Sequence, residues 1–316
     1  MDITVMVTVM AMVMAMVMAT VMATAMVMAV KKKERRKRRS GISVSSVNII
    51  TTTTILGIIV LRVHMMMGKT NYLIMFGIRY RLPEDFFKGA TDVHCHLLPG
   101  VDDGFSSTEK SLQALKKLEE RGVKNMILTP HFMKDYPLNN RESITAEFES
   151  FKKEAEQVCG IQFRLGAEYM LDACFLNHYK QGFLTLDKGG THVLCETSYL
   201  MYEHNITEML YEIMCDDFQP VIAHPERYEY AVKDNYFRWK DKRYKFQLNL
   251  LSLAGAYGKP AKVKAHYLLK EGMYDYVGSD MHGLSNFEHF LPEIRLSKKN
   301  IDRLEQLIEN NKKLFN

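Results

Sequence analysis

The chain lacks paired cysteines and, outside one short segment, any excess of basic charge. Its five cysteines are an odd number and form no Cys-x-x-Cys pair, which argues against a disulfide scaffold and favours a reducing compartment. The net charge of +5 comes from residues 31–39, KKKERRKRR, because the other 34 basic and 36 acidic residues leave −2. The predicted folded part therefore gives no support for nucleic-acid binding. With 47% apolar and 25% charged residues among 316, a collagen-like or wholly disordered chain is also excluded.

Residues 1–30 contain no Leu, Phe, Trp or Tyr, and no charge after Asp2. They are long and apolar enough to span a bilayer, and the basic run after them is typical of the inner end of an anchor. Their near-repeat of Met, Val, Ala and Thr fits translated low-complexity DNA or an early start codon equally well. A signal peptide is disfavoured because the charge follows the apolar run. We predict an extension over residues 1–80, which is an anchor, disordered or artefactual, and a folded domain over residues 82–316.

From Ala90 onward, short apolar runs alternate with amphipathic stretches. Strands are predicted at residues 91–97, 125–131, 162–169, 192–197, 220–224, 246–251 and 274–280. Helices are predicted at residues 111–120, 207–215, 261–270 and 301–308, where apolar side chains recur on one helical face. This alternation predicts an α/β fold with a parallel sheet and crossover helices. Seven short apolar units within 235 residues favour a closed barrel over an open sheet.

Six of the seven predicted strands end in a residue that can bind a metal. Counting neighbours just beyond the strands, the candidate ligands are His94, His96, Asp103, His131, Glu168, Glu196, His224, Asp280 and His282. In α/β barrels, the carboxyl ends of the strands build the active site. His94 and His96 are two residues apart, so both point to the same side of a strand. The sequence therefore predicts that five histidines and four carboxylates converge.

Nine ligands exceed the roughly four that one zinc ion takes, so they predict two or three cations if a carboxylate bridges. Mixed nitrogen and oxygen ligands suit Mn²⁺, Fe²⁺ or Zn²⁺. Cys95 lies between two inward histidines and is expected to face outward into packing. It is not expected to be a nucleophile, because the chain has no Cys-x5-Arg loop of the thiol phosphatases.

Seven motifs, taken in order, resemble the PHP (polymerase and histidinol phosphatase) superfamily. They are DVHCHLLPGVDDG (92–104), TPH (129–131), GAEYMLD (166–172), CETSY (195–199), AHPERY (223–228), FQLNLLS (246–252) and VGSDMH (277–282). More narrowly, they resemble its bacterial manganese-dependent protein-tyrosine phosphatases, the CpsB/CapC/YwqE type of capsule biosynthesis. The resemblance covers residues 90–285 and leaves residues 1–80 without a counterpart, which favours an artefactual extension.

The resemblance implies a distorted seven-stranded (β/α)7 barrel, similar to a TIM barrel, with three Mn²⁺ ions that Fe or Zn could replace. A metal-bound hydroxide would attack the phosphate, and Arg227 would contact it. Related enzymes can carry a second Arg after GSDxH, but here none follows until Arg295, so Lys134 or another loop residue could help. The implied ligand sets are His94, His96, Glu168 and Asp280; Glu168, Glu196 and His224; and Asp103, His131 and His282, with Asp102 a neighbour only.

The function implied by the resemblance is hydrolysis of phosphotyrosine on a protein, in particular an autophosphorylating tyrosine kinase of exopolysaccharide export. This chain itself is expected to be cytoplasmic, or membrane-associated through its N-terminal apolar segment. One alternative is a PHP phosphoesterase acting on a small molecule such as histidinol phosphate, or a nuclease. Another is a metal-binding or kinase-docking protein without turnover, against which the complete ligand set argues. The last alternative is a membrane-anchored regulator. Membrane contact of any kind depends on residues 1–62 being a real anchor.

Overall fold

The computed structural model describes residues 79–201 and 205–316. The predicted extension, residues 1–80, lies outside the described residues except for its last two, and so do the hypotheses of an anchor or an artefact. Tyr80 already belongs to the fold, because it forms an antiparallel bridge with Leu296. Within the described ranges, no helix is long and apolar enough to cross a membrane.

Strands and helices alternate along the described chain. The strands are β1 (Ala90–Asp92), β2 (Val123–Leu128), β3 (His131–Phe132), β4 (Gln162–Leu165), β5 (Glu168–Met170), β6 (His192–Glu196), β7 (Gln219–Ala223), β8 (Lys245–Asn249) and β9 (Tyr276–Gly278). The α-helices are α1 (Thr108–Glu120), α2 (Arg141–Ala155), α3 (Phe175–Lys180), α4 (Ile206–Cys215), α5 (Lys233–Asp241), α6 (Gly258–Glu271), α7 (Leu284–Phe290) and α8 (Lys298–Phe315). Short 3₁₀ turns cover Pro225–Arg227, Leu250–Leu253 and Leu291–Glu293.

The strands pair in parallel throughout, which confirms the predicted parallel sheet with crossover helices. They form a three-stranded sheet in the order β1-β2-β4 and a six-stranded sheet in the order β3-β5-β6-β7-β8-β9. Parallel neighbours cannot be joined by a hairpin, so each connection must cross over, and helices such as α1 and α4 fill most of the crossovers. The result is a mixed α/β fold with a curled parallel sheet.

Four predicted strands are several residues shorter or interrupted in the structure, and one of them, predicted at 274–280, is regular only over β9. The predicted strands at 125–131 and 162–169 are each divided in two, as β2 with β3 and β4 with β5. Pro130 has no N–H group to continue the ladder, which accounts for the first break. The predicted strand at 91–97 is regular only over β1. Beyond it the chain makes single contacts instead, including an isolated parallel bridge between Cys95 and Met281.

The four predicted helices are confirmed within α1, α4, α6 and α8, and four further helices were not predicted. Helix α2 begins at a capping box, in which the Asn140 side chain accepts from the Ser143 N–H and the Ser143 hydroxyl accepts from the Asn140 N–H. Helix α5 buries only Tyr236 and Trp239 among charged residues, so its sequence carries little helical periodicity. Its helical structure therefore depends on tertiary packing.

Two apolar clusters lie on opposite faces of the strands. The larger packs helices against the outer face and includes Val193 and Cys195, while Leu194 between them belongs to the smaller, inner cluster. This alternation follows from the period of two in a strand. Leu314 and Phe315 of α8 complete the inner cluster, and the Leu314 carbonyl accepts from the Arg164 guanidinium. The inner cluster fills one end of the inner face, and polar side chains occupy the other end.

Candidate metal centre

The structure brings all nine predicted ligands together at the carboxyl ends of the strands. Their ligand atoms fall into groups within which every atom lies within 4.8 Å of the others. Most of these side chains are buried, and only Asp103 and His282 retain substantial exposure. The groups are His96, Asp103, His131 and His282; His94, Glu168, His224 and Asp280; and His131, Glu168 and Glu196.

The first predicted set has the spacing of ligands around one ion. Nε2 of His94 lies 3.2 Å from Nε2 of His96, 3.1 Å from Oε2 of Glu168 and 3.4 Å from Oδ1 of Asp280. His96 Nε2 lies 3.3 and 3.4 Å from the same two oxygens. Ligand atoms about 2.0–2.2 Å from a common ion lie roughly 3–3.5 Å apart. These four side chains therefore fit a shared cation.

Glu168 also faces the second predicted set, but with its other oxygen. Its Oε1 lies 3.1 Å from Nε2 of His224, which is itself 3.5 Å from Oε1 of Glu196. The two carboxylate oxygens of Glu168 are thus turned to different histidines, Oε2 towards His94 and Oε1 towards His224. This is the arrangement of a carboxylate that can bridge two cations.

The third predicted set lies at the more exposed edge of the cluster. Asp103 Oδ1 is 3.5 Å from Nε2 of His131 and 3.4 Å from Nε2 of His282. His131 turns its other nitrogen, Nδ1, to Glu168 Oε2 at 3.3 Å. The three sets are therefore contiguous, and His131 faces two of them.

Several buried polar atoms of this cluster have no hydrogen-bond partner. They are Nδ1 of His131, Oε2 of Glu168, Nδ1 of His224 and Oδ1 of Asp280. Buried polar atoms in proteins nearly always have a partner, so each such exception needs an explanation. Divalent cations would satisfy the two carboxylate oxygens, which are turned towards imidazole nitrogens without forming hydrogen bonds. The donors present thus fit a metal centre.

Three histidines are held by acceptors on their far nitrogens. Nδ1 of His96 donates to Oδ2 of Asp102 at 2.8 Å, and Nδ1 of His94 donates to Oε1 of Gln247 at 2.9 Å. Nδ1 of His282 lies 3.0 Å from the Asp280 carbonyl oxygen. An acceptor at Nδ1 fixes the tautomer that leaves the Nε2 lone pair for a cation. Asp102 is therefore placed behind His96 and not among the ligand atoms.

The electrostatics of the cluster favour positive charge. Burial would lower the pKa of His94, but the carboxylates of Glu168 and Asp280 raise it to about 9. Burial, together with the nearby charge of Glu168, raises the pKa of Glu196 well above its usual range. A hydrogen bond from His282 lowers the pKa of Asp103 to about 2. Negative charge is thus concentrated where a cation would neutralise it.

The backbone at two predicted ligands is strained. His224 and Asp280 have φ angles of 29° and 49°, in the left-handed region that residues with a Cβ rarely adopt. The Asp280 N–H donates to the His94 carbonyl at 2.8 Å, which brings the two segments together. A Cβ at Gly278 would lie 2.5 Å from Cβ of His94, so only glycine permits this approach. Strain of this kind is typical of functional sites.

Arg227 lies beside the cluster and is held from several directions. Its Nη1 donates to Oδ2 of Asp280 at 2.7 Å, and its side chain is 17% exposed. Its Cζ lies 4.5 Å from the ring centroid of Tyr199 and 4.2 Å from that of Tyr257. Asn249 also donates to Oδ2 of Asp280, at 2.6 Å. The predicted phosphate-binding arginine is thus next to the predicted ligands.

The other residues singled out in the sequence lie elsewhere. Cys95 is fully buried in the outer core, where its thiol donates to the Ile127 carbonyl, so it faces away from the cluster as expected. Lys134 is exposed, and its backbone N–H donates to Asp172. Arg295 donates to the carbonyls of Pro292 and Ile294. Among the described residues, neither the Lys134 nor the Arg295 side chain contacts the ligand cluster.

Sequence reasoning missed the roles of Gln247, Asn249, Tyr199 and Tyr257. The first two lie on β8, which comes from the only predicted strand without a ligand at its end. The lack of a ligand on this strand was itself informative, because a strand at this edge of the sheet can carry side chains that support the ligands on neighbouring strands. Tyr199 follows Glu196 within one motif, but no pattern in the sequence connects Tyr257 with Arg227.

Comparison with known proteins identifies relatives of this chain. The family profile of CpsB/CapC, described as capsular polysaccharide synthesis, matches residues 90–313. The putative tyrosine-protein phosphatase CapC of Staphylococcus aureus is 23% identical over 227 residues, which cover 70% of this chain and 89% of the relative. Tyrosine-protein phosphatase CpsB of Streptococcus pneumoniae is 30% identical over 206 residues, which cover 62% and 84%.

Solved structures agree on the fold. The chain is similar to the crystal structures of YwqE from Bacillus subtilis and CpsB from Streptococcus pneumoniae, described as unique metal-dependent tyrosine phosphatases. The TM-score is 0.60, with 23% identity over 71% of this chain and 93% of the other. The family profile spans every predicted ligand. The chain therefore belongs to the CpsB/CapC family of capsular polysaccharide synthesis.

Proposed function

We propose that this chain is a metal-dependent protein-tyrosine phosphatase acting in capsule or exopolysaccharide biosynthesis. The observation that carries the proposal is Glu168, whose two oxygens lie 3.1 Å from Nε2 of His94 and 3.1 Å from Nε2 of His224. A bridging carboxylate between cations, with an arginine beside them, suits transfer of a phosphoryl group to water. The names of the relatives support phosphotyrosine as the substrate.

The proposed cofactor is a group of three Mn²⁺ ions. Fe and Zn would compete for the same positions, because mixed imidazole and carboxylate ligands do not select sharply among these metals. The proposed sets are His94, His96, Glu168 and Asp280; Glu168, Glu196 and His224; and Asp103, His131 and His282.

The residues of the chain have separate tasks in this proposal. Cations held by these ligands would supply an activated water and would neutralise charge on the phosphoryl oxygens. Arg227 is fixed at Nη1 by Asp280, and its remaining N–H groups can donate to two phosphate oxygens at once. Cys95 contributes no nucleophile, because it is buried on the opposite face of its strand segment.

We also propose that the strands form seven segments of one distorted (β/α)7 barrel within a domain of residues 82–316. Backbone hydrogen bonds support the closure between its first and last segments. The Asp280 N–H donates to the His94 carbonyl, and the His96 N–H donates to the Met281 carbonyl. Across the two strand breaks, the Gly166 N–H donates to the Leu128 carbonyl at 2.8 Å.

The proposed partner is a phosphotyrosine protein, in particular an autophosphorylating tyrosine kinase of capsule export. The relatives named as tyrosine-protein phosphatases and the capsular family support this choice. We propose a cytoplasmic location, on the grounds of the kinase substrate and of five cysteines that are all free.

The test is phosphate release by the full chain, stripped with EDTA and then reloaded with Mn²⁺, Fe²⁺ or Zn²⁺. We expect hydrolysis of phosphotyrosine peptides by the reloaded protein, at least tenfold less hydrolysis of histidinol phosphate, and none after chelation. A preference for histidinol phosphate would favour the small-molecule phosphoesterase instead. Full activity after complete metal removal, measured by mass spectrometry, would refute the metal-dependent mechanism.

A further inference from the structure

Arg227 is flanked by two tyrosines that approach it from separate parts of the chain. Tyr199 follows β6, whereas Tyr257 immediately precedes α6, and both ring centroids lie within 4.5 Å of the guanidinium carbon. A guanidinium over an aromatic ring is held by cation–π attraction, which is stronger when water is excluded. Since the Arg227 side chain is only 17% exposed, these contacts are largely shielded from water.

The segment that carries Tyr257 is fixed by its own backbone contacts. Gly255 has a φ of +100°, which reverses the chain after the 3₁₀ turn Leu250–Leu253. The Ala256 N–H donates to the Leu251 carbonyl, and Lys262 Nζ donates to the Ala254 carbonyl at 3.0 Å. These contacts fix the backbone just before Tyr257, so its ring projects from an ordered turn and can support Arg227.

The two tyrosines differ in what else they touch. The Tyr199 hydroxyl donates to Oε1 of Glu196, a predicted ligand, so changing Tyr199 also disturbs the metal centre. The Tyr257 hydroxyl lies near the Asn249 side chain and not beside Glu196. Among the described residues, no hydrogen bond joins Tyr257 directly to a predicted ligand, so a change at Tyr257 affects the ligands only through Asn249, which donates to Oδ2 of Asp280.

A rigid support matters because Arg227 is the one arginine that the described part of the chain places against the predicted ligands. Among the described residues, Asp280 Oδ2 is the only protein acceptor for the Arg227 guanidinium. The N–H groups of Nε and Nη2 therefore remain available to donate to a ligand. A free arginine side chain loses considerable rotamer freedom when it grips a ligand. Stacking that fixes the guanidinium beforehand removes most of that loss from the binding step.

We propose that Tyr257 is a positioning residue for phosphate recognition, whose ring holds the Arg227 fork towards the metal centre. This rests on the proposed function only in that the site takes a phosphoryl group. The ring acts through Arg227 and not through the leaving group, so its effect extends to every phosphate ligand, including inorganic phosphate.

The experiment compares Tyr257→Leu, Tyr257→Met and Tyr257→Phe in the Mn²⁺-loaded full chain. The matched control is Tyr267→Leu, which removes another tyrosine that contacts a cation, Lys233 at 4.6 Å, from the same stretch of chain. Inorganic phosphate is titrated by calorimetry, KM and kcat are measured on a phosphotyrosine peptide, and metal content is measured by mass spectrometry. Two non-aromatic variants are used so that a folding defect in one does not decide the result.

We expect Tyr257→Leu and Tyr257→Met to weaken phosphate binding and raise KM roughly 5- to 30-fold, with metal content unchanged. Tyr257→Phe keeps the ring and should retain most of the phosphate affinity, losing only the contact of its hydroxyl with Asn249, whereas Tyr267→Leu should match the wild type. Unchanged phosphate binding in the non-aromatic variants would overturn the proposal, and so would an equal loss in Tyr257→Phe. If the wild type binds inorganic phosphate but does not hydrolyse phosphotyrosine, the proposed function fails while the role of Tyr257 is still measured.

Discussion

The inner face of the sheet has two ends that differ in chemistry although the same strands build both. Leu194 and Glu196 lie two residues apart on β6, so they share a face, yet one belongs to the inner apolar cluster and the other to the metal centre. Tyr276 and Asp280, at and beyond β9, repeat this change. These two segments therefore pass from an apolar side chain to a ligand within two to four residues.

The two ends also differ in how well they are satisfied within the protein. The apolar end is buried against α8, and burial itself stabilises it. The ligand end contains buried atoms without partners, and two of its residues have positive φ. The comparison indicates that one end of the inner face provides stability and that the other end holds buried polar atoms that bound cations would satisfy.

Removing Glu168 should have the largest effect on this comparison. Because Glu168 faces both His94 and His224, Glu168→Ala should lose more than one metal equivalent and nearly all turnover. Without the bridge, two cations would repel each other at roughly 3.5–4 Å. Metal analysis by mass spectrometry and steady-state kinetics give the answer. Full metal content in the variant would mean that a different residue bridges.

A change at the apolar end should lower the stability of the protein and leave its metal content unchanged. Leu186 is fully buried in the inner cluster, and Leu186→Ala should lower the free energy of unfolding by about 2–5 kcal/mol. Metal content and KM should remain as in the wild type at temperatures where the variant is folded. Urea unfolding and metal analysis test both statements. Loss of metal from the folded variant would show that the two ends are not separable.

Arg227 lies at the ligand end but is not a predicted ligand, so changing it separates phosphate binding from metal binding. Arg227→Ala should keep its metal content while binding and turnover of the phosphate ester fall roughly tenfold or more, the loss expected from one or two charged hydrogen bonds. Arg227→Lys retains the charge but not the fork and should recover only part of this loss. Metal loss in Arg227→Ala would instead indicate that its contact with Asp280 supports the cation site.

The smallest effect is expected at Cys95, between two ligands but on the opposite face. Its thiol is buried in the outer core and donates only to a backbone carbonyl, so Cys95→Ser should retain most activity and all metal. Activity on a phosphotyrosine peptide, with and without a thiol-alkylating reagent, tests this. Complete loss of activity without loss of metal would favour a thiol nucleophile.

The candidate ligands could be predicted from the sequence because their signal is local. Each one follows a short apolar run, and pairs such as His94 with His96 have strand spacing. Their support could not be predicted, since Gln247 contacts His94 across 153 residues. Helix α5 was missed for the same reason, because tertiary packing and not helical periodicity decides it, whereas Pro130 was a local signal for the first strand break. Tyr257 illustrates the limit most clearly, since its role depends on a loop that brings it to Arg227.

The contact of α8 with β1 determines how late in translation the first and last strands can be joined. Asn311 donates to the Thr91 carbonyl and to the Val277 carbonyl, so it joins the first and last strands across a separation of 220 residues. At about 5–20 residues per second, a ribosome needs roughly 10–45 s to make that span. The segment with His94 and His96 is synthesised early, but the hydrogen bonds that join β1 to β9 can form only after α8 has been made. The full set of candidate ligands therefore exists only after Asp280 and His282 have been synthesised, late in this interval.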